Sequence, residues 1–260
     1  MRQKKLLFFL FVPLSFTSSA QSQFFTDSLF SKSLNEQRLV TIYLPNGYNS
    51  ASSMKYPVIY TTDGQIINES YRHRMDSLIS NKLVKPFVLI GSHSNETIVS
   101  GRTEMRTYDY LPGNPKIKNA YSDRFANHMQ FFTQELVNYA ESKYPISQKP
   151  EERTFYGISN GADFGVSLAL AHSDQFKQFI LLSIFQGTKQ KFNWKKNDGV
   201  YFYLGYGLKE EDHVLDETLR LEKYCIKNKV SRTLITWNGG HERKHWELTF
   251  ERALQRIFPF

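Results

Sequence analysis

The sequence predicts an α/β fold with a mostly parallel central sheet and helices on both faces. Continuous apolar runs such as YPVIYTTDG (56–64), PFVLIGSHS (86–94), RTFYGIS (153–159), FKQFILLSI and VYFYLGYG lack the alternation of a half-exposed strand. Both of their faces must therefore be covered. Amphipathic helical stretches stand between them, and helical crossovers return the chain to start the next strand in parallel. The length of 260 residues, with 40% hydrophobic and 15% aromatic side chains, suits one large α/β domain.

The chain opens with MRQKKLLFFLFVPLSFTSSAQSQ. Arg2, Lys4 and Lys5 precede an apolar run of 11 residues, Leu6 to Phe16, and then the small residues Thr17 to Ala20. This is the pattern of a secretory signal peptide over residues 1–20; the run is too short for a bilayer-spanning helix, which argues against an uncleaved anchor. No cysteine follows it for lipid attachment. Formal net charge is +8, and cleavage after Ala20 leaves 30 basic against 25 acidic side chains. This mild excess is spread along the chain without a dense basic run, so no nucleic-acid partner is expected. The single cysteine, Cys225, has no internal disulfide partner and reads as a packed side chain on a helix.

Residues 21–35 read as a polar lead-in, and 36–260 as the folded domain. RLVTIYLP (38–45) is a strand ending at a proline turn. ESYRHRMDSLISNKL is a helix. SDRFANHMQFFTQELVNYAESKY is one long amphipathic helix, with Ser122 or Asp123 as its cap and Pro145 beyond its end. GADFGVSLALAHS and DETLRLEKYCIKN are further helices, RTLITW (232–237) is a strand, and RKHWELTFERALQRIF closes the chain. Ligand chemistry in such sheets collects at the carboxyl ends of the strands.

Gly157-Ile158-Ser159-Asn160-Gly161 is a G-x-S-x-G that follows an apolar strand and opens a helix, the setting of a nucleophile elbow. Glycines on either side let neighbouring chain pass close while Ser159 stands out at the top of the sheet. The Asn160 backbone N–H at the helix start is placed to donate to an oxyanion.

A serine nucleophile needs a base. Of seven histidines, His241 is the one that follows an apolar strand downstream of the serine, through a Gly239-Gly240 bend. His93 also ends a strand but precedes the serine. The order serine, acid, histidine is met with Glu210, Glu211 or Asp212, all of which follow the strand at 200–205. Spacing favours Glu210, although adjacent acids commonly form a solvated turn.

A competing reading treats His241-Glu242-Arg243-Lys244-His245 as a zinc-binding H-E-x-x-H. That motif needs its first histidine within a helix, and two glycines precede His241. Leu248 and Glu251 occupy the glycine and histidine positions of the extended motif, and 15 residues remain after His245. No metal or other cofactor is expected. A second alternative is an inactive hydrolase-like fold acting as an exported binding protein, which a fluorophosphonate probe for Ser159 discriminates.

VTIYLPNGYN, YPVIYTTDGQ, RTYDYLP, GISNGADFG and WNGGHERKHW together resemble the esterase family of α/β hydrolases, the group of esterase D and the ferric-enterobactin (enterochelin) esterases. The resemblance spans Arg38 to the C-terminus. It implies an α/β-hydrolase fold with Ser159 as nucleophile, His241 as general base and Glu210, in Gly207-Leu208-Lys209-Glu210, as the acid. It implies a second oxyanion N–H from the Asp63-Gly64-Gln65 turn, at Gly64 or Gln65, and a substrate-cleft element at Arg106, Asp109 and Tyr110. Ala162 departs from a position where glycine is common. The implied substrate is a small-molecule or glycan ester, such as a siderophore lactone or an acylated carbohydrate. Tyr108, Tyr110, Phe192 and Trp194 are candidate aromatic walls of a cleft, though each taken singly reads as an ordinary packed aromatic.

Overall fold

The computed structural model describes residues 21–113, 116, 119–186 and 191–260. Residues 1–20, where a signal peptide is expected, lie outside them. An eight-stranded sheet forms the centre, in the order β1-β2-β4-β3-β7-β8-β9-β10. Its strands are β1 (Gln23–Ser31), β2 (Glu36–Leu44), β3 (Val58–Thr61), β4 (Val88–Ser92), β7 (Arg153–Ile158), β8 (Gln178–Leu182), β9 (Tyr201–Gly207) and β10 (Ser231–Trp237). From β4 to β10 every pairing is parallel, whereas β1 pairs with β2 and β2 with β4 antiparallel. A small hairpin, β5 (Ile98–Ser100) and β6 (Thr103–Glu104), stands apart from the sheet.

The helices are α1 (Glu69–Ser80), α2 (Met105–Tyr110), α3 (Arg124–Gln130), α4 (Val137–Lys143), α5 (Asn160–His172), α6 (Asp212–Asn228) and α7 (Arg243–Ile257). The buried strands send alternate side chains to opposite faces, as a period of two requires. Tyr60, Phe155, Phe179 and Phe202 meet Phe132 and Phe164 on one face, the side of α3 to α6. Ile59, Tyr156, Ile180 and Tyr203 meet Tyr71 of α1 and Phe250 of α7 on the other. Asn68 caps α1 by accepting the Ser70 and Tyr71 N–H groups at 3.0 and 3.4 Å.

Two expectations are corrected. The polar lead-in is the edge strand β1, in register with β2 from Gln23 opposite Leu44 to Ser31 opposite Glu36. An edge strand with one face in solvent needs few apolar residues, which is why it reads as a loop. The long helix at 122–144 is interrupted by a π-helical stretch, Phe131–Leu136, between α3 and α4. Phe131, Phe132 and Thr133 are all buried there, a run of three that a regular helix would not turn inward. Asp123 occupies the cap position without a side-chain bond.

Candidate active site

The carboxyl ends of β7 to β10 gather the site. Ser159 follows β7 with φ 53° and ψ −129°, a backbone that side chains other than glycine seldom adopt. Its N–H donates to the Leu182 carbonyl at 3.0 Å, which ties the turn to β8. The elbow is tight. A Cβ on Gly157 would overlap the Gly161 carbonyl, and one on Gly161 would stand 3.0 Å from Asp63 Oδ2. The glycines at these positions therefore have a steric cause, and the second contact brings the Asp63-Gly64 turn against the start of α5. The first N–H groups of that helix, Asn160 among them, have no intrahelical acceptor and remain available to an anion.

Glu210 and His241 come together. His241 Nδ1 lies 3.3 Å from Glu210 Oε1, with the carboxylate side chain 1% exposed and the imidazole 34% exposed. Of the other two acids, Glu211 is exposed and faces His213 at 3.3 Å, and Asp212 is the exposed first residue of α6. The Gly239-Gly240 bend sets His241 ahead of α7, which starts at Arg243. Trp246 meets the imidazole edge-to-face at 4.7 Å and Phe185 stands 5.8 Å from it. Among the described residues no hydrogen bond joins Ser159 Oγ to His241. The structure thus brings an imidazole and a buried carboxylate together and sets the serine on the same sheet edge.

The H-E-x-x-H reading fails on geometry. His241 is in a loop, while His245 in the first turn of α7 stacks on Trp237 at 6.0 Å. Glu247 and Glu251 are engaged by Arg74 at 2.7 and 2.5 Å. No group of three or more metal-ligating side chains occurs among the described residues.

The Asp63-Gly64 turn is braced by the residues expected at the substrate cleft. Asp63, left-handed at φ 55° and buried, precedes a short 3-10 turn at Gly64–Ile66. Arg106 grips it through both nitrogens, Nε to Oδ1 at 2.6 Å and Nη2 to Oδ2 at 2.7 Å. The Asp63 N–H donates to the Tyr110 hydroxyl at 3.2 Å, and Arg106 stacks over the Tyr110 ring at 4.9 Å. Tyr110 is completely buried, and burial pushes its hydroxyl well above the usual phenol range. Arg106 and Tyr110 therefore hold the turn; Tyr110 has no surface to offer a substrate. Asp109 is buried between Arg38 and Arg124. Within the turn itself, Gln65 spends its side-chain amide on Ser94 and Glu96.

The other candidates have neighbours within the fold, and Tyr108 and Phe192 are half-buried. Trp194 is buried, with its indole N–H donating to the Ala169 carbonyl at 2.9 Å, and Phe192 stacks on it. Tyr108 pairs with Tyr121 at 4.9 Å. Cys225 is buried, which pushes its thiol up to about 12. His93 Nε2 is 2.8 Å from Thr41 Oγ1.

The family model described as "Putative esterase" matches residues 31–257. The chain belongs to the esterase family. As a member it is a carboxylic ester hydrolase. Uncharacterized protein YjcH of Bacillus subtilis (strain 168) is 26% identical over 242 residues, covering 88% of this chain and 94% of that one. Among solved structures, a ferulic acid esterase superposes with TM-score 0.74 at 19% identity, over 92% of this chain and 98% of that one. The enterobactin esterase FES from Shigella flexneri superposes with TM-score 0.72 at 16% identity, over 93% of this chain and 61% of that one. At these identities the superpositions establish a shared fold. They leave the esterase with the architecture and strand-end site already described.

Proposed function

We propose that this esterase is exported and cleaves its substrate through Ser159, His241 and Glu210 by way of an acyl-enzyme. The carrying observation is the His241–Glu210 contact on the sheet edge where Ser159 holds its strained elbow. Ser159 Oγ attacks the ester carbonyl while His241 Nε2 takes its proton. Glu210, facing Nδ1, fixes the ring and stabilises the imidazolium. The N–H groups of Asn160 and of Gly64 or Gln65 hold the oxyanion. His241 then gives the proton to the departing alkoxide, and the alcohol leaves. A water, deprotonated by His241, cleaves the acyl-enzyme and restores Ser159. The Ser159–His241 hydrogen bond closes when substrate fills the site, as catalytic hydrogen bonds often tighten only in the complex.

The amino-terminal pattern supports export, and with it a substrate outside the cytoplasm: a siderophore lactone or an acylated or feruloylated carbohydrate. Proteins named for both kinds of ester share this fold, which supports that class. The test is Ser159→Ala against p-nitrophenyl acetate and a panel of siderophore, acetyl-xylan and feruloyl esters. We expect kcat to fall by at least about 10^3-fold with the fold intact, and a fluorophosphonate to label the native protein at Ser159 alone. Undiminished turnover by the variant overturns the assignment.

A further inference from the structure

The acid at the base of this site is held by a chain of donors that starts on the closing helix. Trp246 Nε1 donates to Ser183 Oγ at 2.8 Å, and Ser183 Oγ donates to Glu210 Oε1 at 2.6 Å. That same oxygen faces His241 Nδ1 at 3.3 Å. The Trp246 ring then meets the imidazole edge-to-face, so the chain returns to the residue it orients. We propose that Ser183 and Trp246 are positioning residues of the hydrolytic reaction, acting through Glu210 to set the angle at which His241 faces the nucleophile.

Three observations point the same way. Glu210 Oε2 is buried and has no hydrogen-bond partner among the described residues, so one oxygen carries all of the carboxylate's side-chain hydrogen bonding. With Ser183 Oγ removed, the imidazole would be the one polar side-chain partner left to the carboxylate among the described residues. Ser183 is also fully buried and stands at φ 56°, a left-handed backbone that costs a serine free energy, at the carboxyl end of β8. Its N–H is spent on the Gly205 carbonyl at 2.7 Å, which leaves the side chain to serve Glu210. Lastly, the hydroxyl is itself oriented. By donating into Ser183 Oγ, the indole N–H occupies a lone pair and turns the serine proton toward the carboxylate. A strand end, a strained turn and a helix therefore converge on a single carboxylate oxygen.

The inference rests on the Ser159–His241–Glu210 reading, and the experiment separates the two. Ser183→Ala, Trp246→Phe, Glu210→Ala and the double variant Ser183→Ala/Glu210→Ala are assayed with p-nitrophenyl acetate beside Ser159→Ala, with thermal unfolding recorded for each. Ser183→Ala is expected to lower kcat about tenfold or more, the scale of a lost hydrogen bond to a charged group, with KM nearly unchanged. Trp246→Phe keeps the aromatic contact and loses the donor, so its smaller loss falls in kcat as well. The deciding readout is the double-variant cycle. If Ser183 acts through Glu210, its removal costs no further activity once Glu210 is alanine; a residue that only supports the fold would lower activity by the same factor in both backgrounds. Additive losses, or a Trp246→Phe enzyme with full kcat, overturn the proposal even if Ser183→Ala folds poorly. Failure of the parent reading looks different, because Ser159→Ala would then remain active.

Discussion

Replacing His128 with phenylalanine tests how the buried face beneath the site responds to acid. His128 is fully buried in an aromatic cage, with ring centroids at 4.9 Å to Phe164, 5.1 Å to Tyr110, 5.7 Å to Phe131 and 6.2 Å to Phe132. Neither ring nitrogen has a hydrogen-bond partner among the described residues. Burial pushes its pKa from 6.5 down to about 3; Asp109 opposes the shift, and Arg38 and Arg124 reinforce it. Above pH 6.5 the imidazole is neutral in both folded and unfolded chains and stability does not depend on it. Below 6.5 the unfolded chain binds a proton that the folded chain refuses, so stability is lost as pH falls, until the folded group charges near pH 3. At about 1.4 kcal/mol per pH unit, the loss is about 2 kcal/mol at pH 5 and reaches roughly 5 kcal/mol at the lower limit. Phenylalanine fits an aromatic cage, and its packing cost is the same at every pH. Urea unfolding of wild type and His128→Phe at pH 8 and pH 5 isolates the proton: the variant should lose about 2 kcal/mol less between the two conditions. Equal losses would mean that His128 charges inside the fold, and the burial argument would be wrong.

The remaining predictions concern the Asp63-Gly64 turn and the cysteine. Arg106→Ala strands the buried Asp63 carboxylate and should cost about 3–5 kcal/mol in urea unfolding, with turnover falling as the turn loosens. A loss below about 0.5 kcal/mol would mean that Tyr110 and the Gly64 packing hold the turn unaided. Cys225, with its thiol pushed up to about 12, should resist iodoacetamide in the native protein at pH 8 and react fully in denaturant, as read by mass spectrometry.

The parallel sheet, the elbow at Ser159 and the strand-end position of His241 were legible in the sequence, because each depends on local pattern. Apolar strands, a glycine pair around a serine and a glycine bend after RTLITW all act over a few residues. The edge strand β1 was not legible, since its few inward side chains gain meaning only once β2 lies beside them. The pairing of Arg106 with Asp63 was hidden for a related reason. Asp63 is 43 residues away in the chain, and the motif around Arg106 carries no mark of where its guanidinium points.

From the sequence alone follow the order of chemistry-bearing residues, the fold class and the esterase resemblance, because hydrophobic period and steric glycine requirements are written residue by residue. Which acid faces His241, which side chains contact that acid and which brace the Asp63-Gly64 turn were decided by tertiary packing. Ser183, Glu210, His241 and Trp246 meet through bonds and ring contacts between separate strand ends and a helix, and burial gives one carboxylate among three adjacent acids its partner.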